Sequence, residues 1–495
     1  MGLSIDRAEF VEQDYQRFSQ RLRECLECLE TVLADESFGG DEKSWGAELE
    51  LYVVGEDGNV RLLNEAIADS HGDPLLTLEL NRFNLEYNLA PVFGGERPFS
   101  ELQGQLDRVM RGLADTAAKF DARVVPVGIL PTLRHSDIGP HCMTQLPRYR
   151  ALTRGLQRLG SGVFKVHIQG DPPLQMVQDD VTLEGANTSF QFHYRVANRD
   201  FAHVFNAFLL ASPILGGVCA NSPTLFGHRL WHETRVPLFK HSIDRRVSNT
   251  EWSQPARVSL GQGWVRESAY ELFAQAVAIH PPLLPVCGET DYRAQMARGE
   301  LPDLDELCLH QNSVWPWLRP VYATGGGGHL RIELRLLPAG PTTLDMLANA
   351  AFYVGLAEGL RPHLKTLLPA MPFSYVKYNF YRAAQFGLGA RLVWPRLNGH
   401  QLEEHRLSDL AASLLPVARD GLLRIGIAET EAEHYLAVIA RRLETGQNGA
   451  RWQLDSLDTL EAQGMAPEAA RYAMLKRYMA LSAAGGAVSD WPLDR

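Results

Sequence analysis

Four short segments, scattered from residue 45 to residue 335, put charged or polar side chains at alternate positions and mostly hydrocarbon between them. They are Trp45-Gly-Ala-Glu-Leu-Glu-Leu-Tyr52, Thr77-Leu-Glu-Leu-Asn-Arg-Phe-Asn-Leu-Glu-Tyr87, Ser189-Phe-Gln-Phe-His-Tyr-Arg195 and His329-Leu-Arg-Ile-Glu-Leu-Arg335. Successive side chains of a strand point to opposite faces, so each segment predicts a strand with one ionic and one apolar face. Glu48 and Glu50 then share a face, as do Glu333 and Arg335, while Leu49, Leu51, Ile332 and Leu334 fill the core behind. Two carboxylates about 4 Å apart repel by roughly 4 kcal/mol at an effective dielectric near 20. A fold that gathers several needs cations between them, so the pattern predicts a metal site built on a sheet.

The chain of 495 residues, 45% hydrophobic, is long enough for one large core with an accessory region. Its net charge of −11 and its lack of a Lys/Arg run argue against a nucleic-acid surface, which needs a basic patch. Partners are expected to be small molecules, with no membrane, and a homo-oligomer is left open. The segment Met1 to Arg7 lacks the apolar stretch of a signal peptide, and no apolar run is expected to reach bilayer-spanning length. Six scattered cysteines predict reduced thiols and a cytoplasmic protein. Cys25-Leu-Glu-Cys28 lies within a helical pattern and lacks a second pair, so it reads as core.

Apolar residues from Val11 to Val32 recur at helical spacing, and a second helix is expected from Phe99 to Ala118. Glu79 and Glu86 are an odd distance apart, so the segment Asn81 to Asn84 must turn or bulge for both to reach one site. Leu183 to Val196 predicts a strand carrying Ser189, Gln191, His193 and Arg195 on one face. Helices are expected over 200–215 and from Pro341-Thr-Thr onward, then helix after helix beyond Pro395, including 407–418, 429–443 and 467–481. The run Gly325 to Gly328 has no Lys-Ser/Thr after it and precedes a strand, so a flexible loop is expected over a phosphate cradle. His232-Glu-Thr-Arg235 has Val236 where a zinc-protease helix needs its second histidine.

An oxygen-rich cluster with one imidazole suits Mg²⁺ or Mn²⁺, whereas zinc favours more His and Cys. Such ions point to phosphoryl transfer, which needs metals on the phosphates and an arginine where charge spreads in the transition state. Arg335, two residues from Glu333 and on its face, fits that role.

The order of these motifs resembles the glutamate-cysteine ligase family of carboxylate-amine ligases, within the glutamine-synthetase-like superfamily. Gly46-Ala-Glu-Leu-Glu50 is similar to its opening Gly-x-Glu-x-Glu strand, Glu79 and Glu86 to its next pair of acids, and Ser189 to Tyr194 to a strand ending in His-Tyr. Glu333-Leu-Arg335 is similar to its late Glu-x-Arg strand, and Arg148-Tyr149 before an expected helix, Ala220-Asn-Ser-Pro223, Arg235 and Asn379-x-x-Arg382-Ala-Ala384 add support across residues 44 to 390. The chain departs from the pattern at Gln191 and at Leu337-Pro338.

The resemblance implies an α+β fold: a cupped, mainly antiparallel sheet of glutamine-synthetase-like catalytic type with flanking helices. The catalytic domain is expected over 1–395, with a C-terminal helical region over 396–495 packed on it. It also implies two or three Mg²⁺ (or Mn²⁺) ions and ATP held among Glu48, Glu50, Glu79, Glu86, His193 and Glu333. The expected reaction is ATP-dependent amide formation through an acyl phosphate, with glutamate and cysteine as the default pair of substrates. Arg335 and Glu333 are the expected catalytic pair, and Arg235 is the candidate to grip the carboxylate substrate. Arg148, Asn221, Asn379 and Arg382 are implied substrate or nucleotide contacts by resemblance alone. Two alternatives remain: a small-molecule (guanidino or carboxylate) kinase, and a non-catalytic metal or nucleotide binder.

Overall fold

The four rhythmic segments meet in one sheet. The computed structural model describes residues 5–35, 38–160, 163–244, 254–396 and 401–493; residues 1–4, part of the stretch expected to lack a leader, lie outside them. The sheet's eight strands are β1 (Ser44–Gly55), β2 (Leu76–Leu78), β3 (Asn84–Asn88), β4 (Val92–Phe93), β5 (Ala122–Val125), β6 (Phe190–Val196), β7 (Leu318–Ala323) and β8 (His329–Leu334). Their order is β7-β8-β6-β1-β3-β2, with β4 and β5 also pairing with β1, and all pairings are antiparallel.

Register converts sequence parity into a shared face. Glu50 lies opposite Glu86, Glu48 opposite Gln191, His193 opposite Glu333, and Glu333 opposite Arg319. On the other face Leu49, Leu51, Phe190, Phe192, Ile332 and Leu334 are fully buried. Each such side chain contributes about 1.5–3 kcal/mol relative to exposure, which is what fixes the register.

Two apolar helices, Phe201–Val218 and Thr343–Leu360, cover that back face through contacts such as Tyr194 on Phe208 and Phe208 on Tyr353. The segment Asn198–Val218 corrects one expectation, because it is long and apolar enough to cross a membrane. It is buried inside the fold instead, serving as a core helix. The second helix is capped by Thr342, whose hydroxyl accepts from the Asp345 N–H at 3.0 Å.

Other expectations need adjusting. Residues 184–186 form a 3₁₀ turn, so the strand begins only at Phe190. Arg148 and Tyr149 lie within the helix Pro147–Arg158 and not before it. The C-terminal part opens with a hairpin, Arg391–Pro395 with Leu402–Arg406, before the helices Leu407–Arg424, Glu429–Thr445, Gly449–Ala462 and Pro467–Ala484. The first two of these helices share the main core and the last two pack in a second one with Tyr52, Phe83 and Val125, while buried Arg442 ties the helix Glu429–Thr445 to Asp345 at 2.8 Å.

Candidate active site

Strand β1 runs through the middle of the ionic face and supplies Glu48 and Glu50. Glu86 comes from β3, and Glu79 from the segment just after β2. The expected turn is present: the Asn84 N–H donates to the Asn81 carbonyl, so alternation breaks between Glu79 and Glu86 and both face Glu48. Burial and then the charges of Glu48, Glu79 and Glu50 raise the Glu86 carboxyl well above the usual range. Glu79 is raised chiefly by burial, and Glu50 is pushed up to about 7 by burial and by Glu79. A further acid, Glu184 on the 3₁₀ turn, is pushed up to about 8 by burial and by Glu79 and Glu50. Glu50, Glu79, Glu86 and Glu184 are therefore acids in excess of the bases that contact them.

The opposite end of the face is basic. Arg319 donates to Glu333 Oε2 at 3.0 and 2.6 Å, and Arg335 pairs with Glu333 Oε1 while donating to Gln191 at 2.5 Å. Burial opposes ionisation of Glu333, but Arg319 and Arg335 hold its carboxyl well below the usual range. Gln191 in turn donates to Glu50 at 2.7 Å, as does the Ser189 N–H. Arg335 thus sits between the acidic and basic halves.

His193 joins the halves. Its Nε2 lies 3.0 Å from Glu48 Oε1, and its Nδ1 receives the Arg331 Nε–H at 3.2 Å. A guanidinium can only donate, so Nδ1 carries the lone pair and the ring proton sits on Nε2, given to Glu48. Although burial works against it, His193 holds Glu48 below the usual range.

Glu48, Glu50, Glu79, Glu86, His193 and Glu333 are thus brought to one face. Among the described residues no group of three His, Cys, Asp or Glu side chains is already placed to hold a metal ion. The reason is visible, since Glu333 is clamped by two arginines and both His193 nitrogens are engaged. The donor chemistry still fits a hard divalent cation, because the remaining carboxylates are oxygen donors in need of positive charge.

The expected binding residues divide. Arg148 is exposed, and its charge lowers Glu79 and Glu184, which places it at the acidic edge. Arg235 is 2% exposed, pairs with Glu233 at 2.6 Å and donates to the Leu336 carbonyl. Asn221 gives its N–H to the same Glu233 and its amide to the Ala339 carbonyl and Tyr478. Asn379 exchanges two hydrogen bonds with the Val393 backbone, and Arg382 on the same helix stacks over Phe386 at 4.4 Å. The contacts of Arg235, Asn221 and Asn379 are all to neighbouring structure, so the structure ties none of them to the carboxylate face.

Three residues of the face were missed. Arg331 had a signal, since it shares the parity of Glu333 and Arg335. Arg319 had a weaker one in the alternation Arg319, Val321, Ala323, and Glu184 had none, being hidden within an expected strand.

A family model for glutamate-cysteine ligase family 2 matches residues 44–475. A comparison with curated protein sequences finds no match. Among solved structures, the chain is similar to glutamate–cysteine ligase from Francisella tularensis in complex with AMP, with 13% identity, TM-score 0.49, and coverage of 92% of this chain and 96% of that one. It is similar to a bifunctional glutathione synthetase from Pasteurella multocida, with 12% identity, TM-score 0.46, and coverage of 93% of this chain and 55% of that one. A complex of the prokaryotic ubiquitin-like protein Pup with its ligase PafA follows, with 10% identity, TM-score 0.38, and coverage of 89% and 73%.

Proposed function

The chain belongs to the glutamate-cysteine ligase family, making it an ATP-dependent carboxylate-amine ligase, and from that premise we propose that it works through an acyl phosphate, with glutamate and cysteine as the default substrates. The observation that carries this reading is the charge imbalance of the sheet face, where Glu50, Glu79 and Glu86 are raised by burial and mutual repulsion next to Arg335. Such a face favours cations at one end and developing negative charge at the other.

Glu48, Glu50, Glu79 and Glu86, with Glu333 and His193 once each exchanges a present partner for the ion, would hold Mg²⁺ or Mn²⁺, and a bound ion would neutralise nucleotide phosphates and screen the incoming carboxylate. In the proposed reaction a substrate carboxylate oxygen bonds to the γ-phosphorus as the bond to the ADP oxygen breaks. The amine nitrogen then bonds to the acyl carbon, phosphate leaves with the C–O electron pair, and the amine loses a proton. Arg335 would stabilise the transferring phosphoryl group, with Glu333 and Gln191 fixing its orientation. Arg148 is proposed as a contact at the acidic edge. Residues 1–395 would form the catalytic body of a cytoplasmic enzyme, with 396–495 as a helical region bracing it.

Phosphate release from Mg-ATP across a matrix of acids and amines, with product masses, tests this reading. Release requiring both an acid and an amine, with an amide product, is the expected result. Release with no amide, or phosphorylation of one substrate alone, would replace the ligase by a kinase.

A further inference from the structure

Four arginines occupy the ionic face: Arg195, Arg319, Arg331 and Arg335. Three are in ion pairs, Arg195 with Glu42 and both Arg319 and Arg335 with Glu333. Arg331 is the exception among the described residues. Its side-chain hydrogen bonds run only to imidazoles, from Nε to His193 Nδ1 at 3.2 Å and between Nη1 and His329 Nε2 at 3.5 Å. The register also sets it directly opposite Arg195. Like charges at directly opposed positions are destabilising, and a single carboxylate, Glu42, answers this pair. A partly buried guanidinium in this setting has spare N–H donors in a planar fork; Glu333 and Glu48 act on its charge, but no carboxylate pairs with it among the described residues.

We propose that Arg331 is a binding residue for an oxyanion, either the second carboxylate of the acid substrate or a nucleotide phosphate. Glu50, Glu79 and Glu86 have no ion pair with a basic side chain among the described residues and Arg331 has none with a carboxylate, so an anion that binds together with a divalent cation meets both needs, the cation at the carboxylates and the anion at Arg331. His193 and His329 flank the guanidinium and limit its swing, and its bond to His193 engages Nε alone, leaving Nη2 for a ligand. Because the site is the one assigned above, this inference rests on the proposed function for the identity of the ligand, but not for the presence of an anion site.

The test is equilibrium binding by calorimetry to the full chain, with Mg²⁺ present, using glutamate and inorganic tripolyphosphate as separate probes. Arg331→Met should weaken one of them about ten- to a hundredfold, the loss expected for a charge-assisted fork. Weakened glutamate binding identifies the carboxylate as the source, and weakened tripolyphosphate binding identifies the phosphate. Arg331→Lys keeps the charge but not the fork, so it should recover part of the affinity and guards against a variant that fails to fold. If Arg331 only orients His193, Mn²⁺ binding to the protein alone will weaken while both anions bind as before, and the inference is overturned. Wild-type protein that binds neither probe also overturns it. Arg331-dependent binding in a protein that makes no amide from any acid and amine would leave the inference standing and remove the ligase reading.

Discussion

Two buried ionic clusters of this molecule use the same residue types and differ in their balance. Behind the sheet, Arg442 pairs with Asp345 and donates to Asn349, while Arg235 pairs with Glu233, which also receives Asn221 and Ser222. Each of those carboxylates meets an arginine. On the ionic face, Glu50, Glu79, Glu86 and Glu184 have no ion pair with a basic side chain among the described residues, and Arg331 has no carboxylate. Balanced charge holds elements together, and unbalanced charge leaves binding capacity for something the chain does not itself supply.

The comparison breaks most sharply at Glu333, the one acid of the face with two arginines. Glu333→Gln should lower turnover about a hundred- to a thousandfold, since Arg319 and Arg335 then lose their anchor at the reacting group. Phosphate release measured beside a urea unfolding curve checks it. Unchanged turnover would make Glu333 a structural acid like Asp345.

Removing Arg442 should do the reverse. Arg442→Met leaves Asp345 buried and unpaired, which costs about 3–5 kcal/mol of stability, read from the urea midpoint at unchanged slope. Substrate affinity should stay within twofold. Arg235→Met sharpens the contrast: an unfolding loss of similar size is expected, whereas a large rise in KM for the acid at unchanged stability would return Arg235 to substrate binding.

What the sequence revealed follows the same division. Parity alone put Glu48 with Glu50 and Glu333 with Arg335, and the odd spacing of Glu79 and Glu86 required a turn that the structure contains. Parity stops where strands stop, so Glu184, on a turn where a Cβ at Gly185 would lie 2.4 Å from Asn81, was invisible. Residue type could not separate Arg235 from Arg335 either. Both are arginines near a glutamate in sequence, and what differs is the tertiary partner set, closed for one and open for the other. The apolar helix 201–218 was underestimated for a related reason: composition does not say whether lipid or a sheet will cover it.

Metal removal gives a smaller effect. In wild-type protein Mg²⁺ at a hundred times its dissociation constant should add about 2–3 kcal/mol of stability, and chelation should reverse it. Glu86→Gln should reduce that gain while raising stability without metal, because folding no longer has to bury an acid whose ionisation the site opposes. An unaltered Mg²⁺ response in Glu86→Gln would place the cation elsewhere.

The smallest effect sets the acidic face against a buried histidine elsewhere in the fold, by the sign of their pH dependence. Glu184 has its carboxyl raised from 4.5 to about 8, so in the fold it keeps a proton that the unfolded chain has lost. Its contribution is fully present below 4.5 and disappears as pH rises through 8. Buried His310, whose Nε2–H goes to the Ala276 carbonyl at 3.2 Å, is pushed down to about 4 by burial. It stays neutral in the fold, so stability is lost instead as pH falls from 6.5 towards 4. In metal-free buffer Glu184→Gln should therefore flatten the alkaline limb, and His310→Gln the acidic limb, each by on the order of 1 kcal/mol after allowing for partial exposure and relaxation. Thermal midpoints from pH 5 to 9 would show it. If Glu184→Gln instead steepened the alkaline limb, its carboxylate would already be neutralised by the chain's own bases, and the distinction between an open and a closed cluster would fail at that residue.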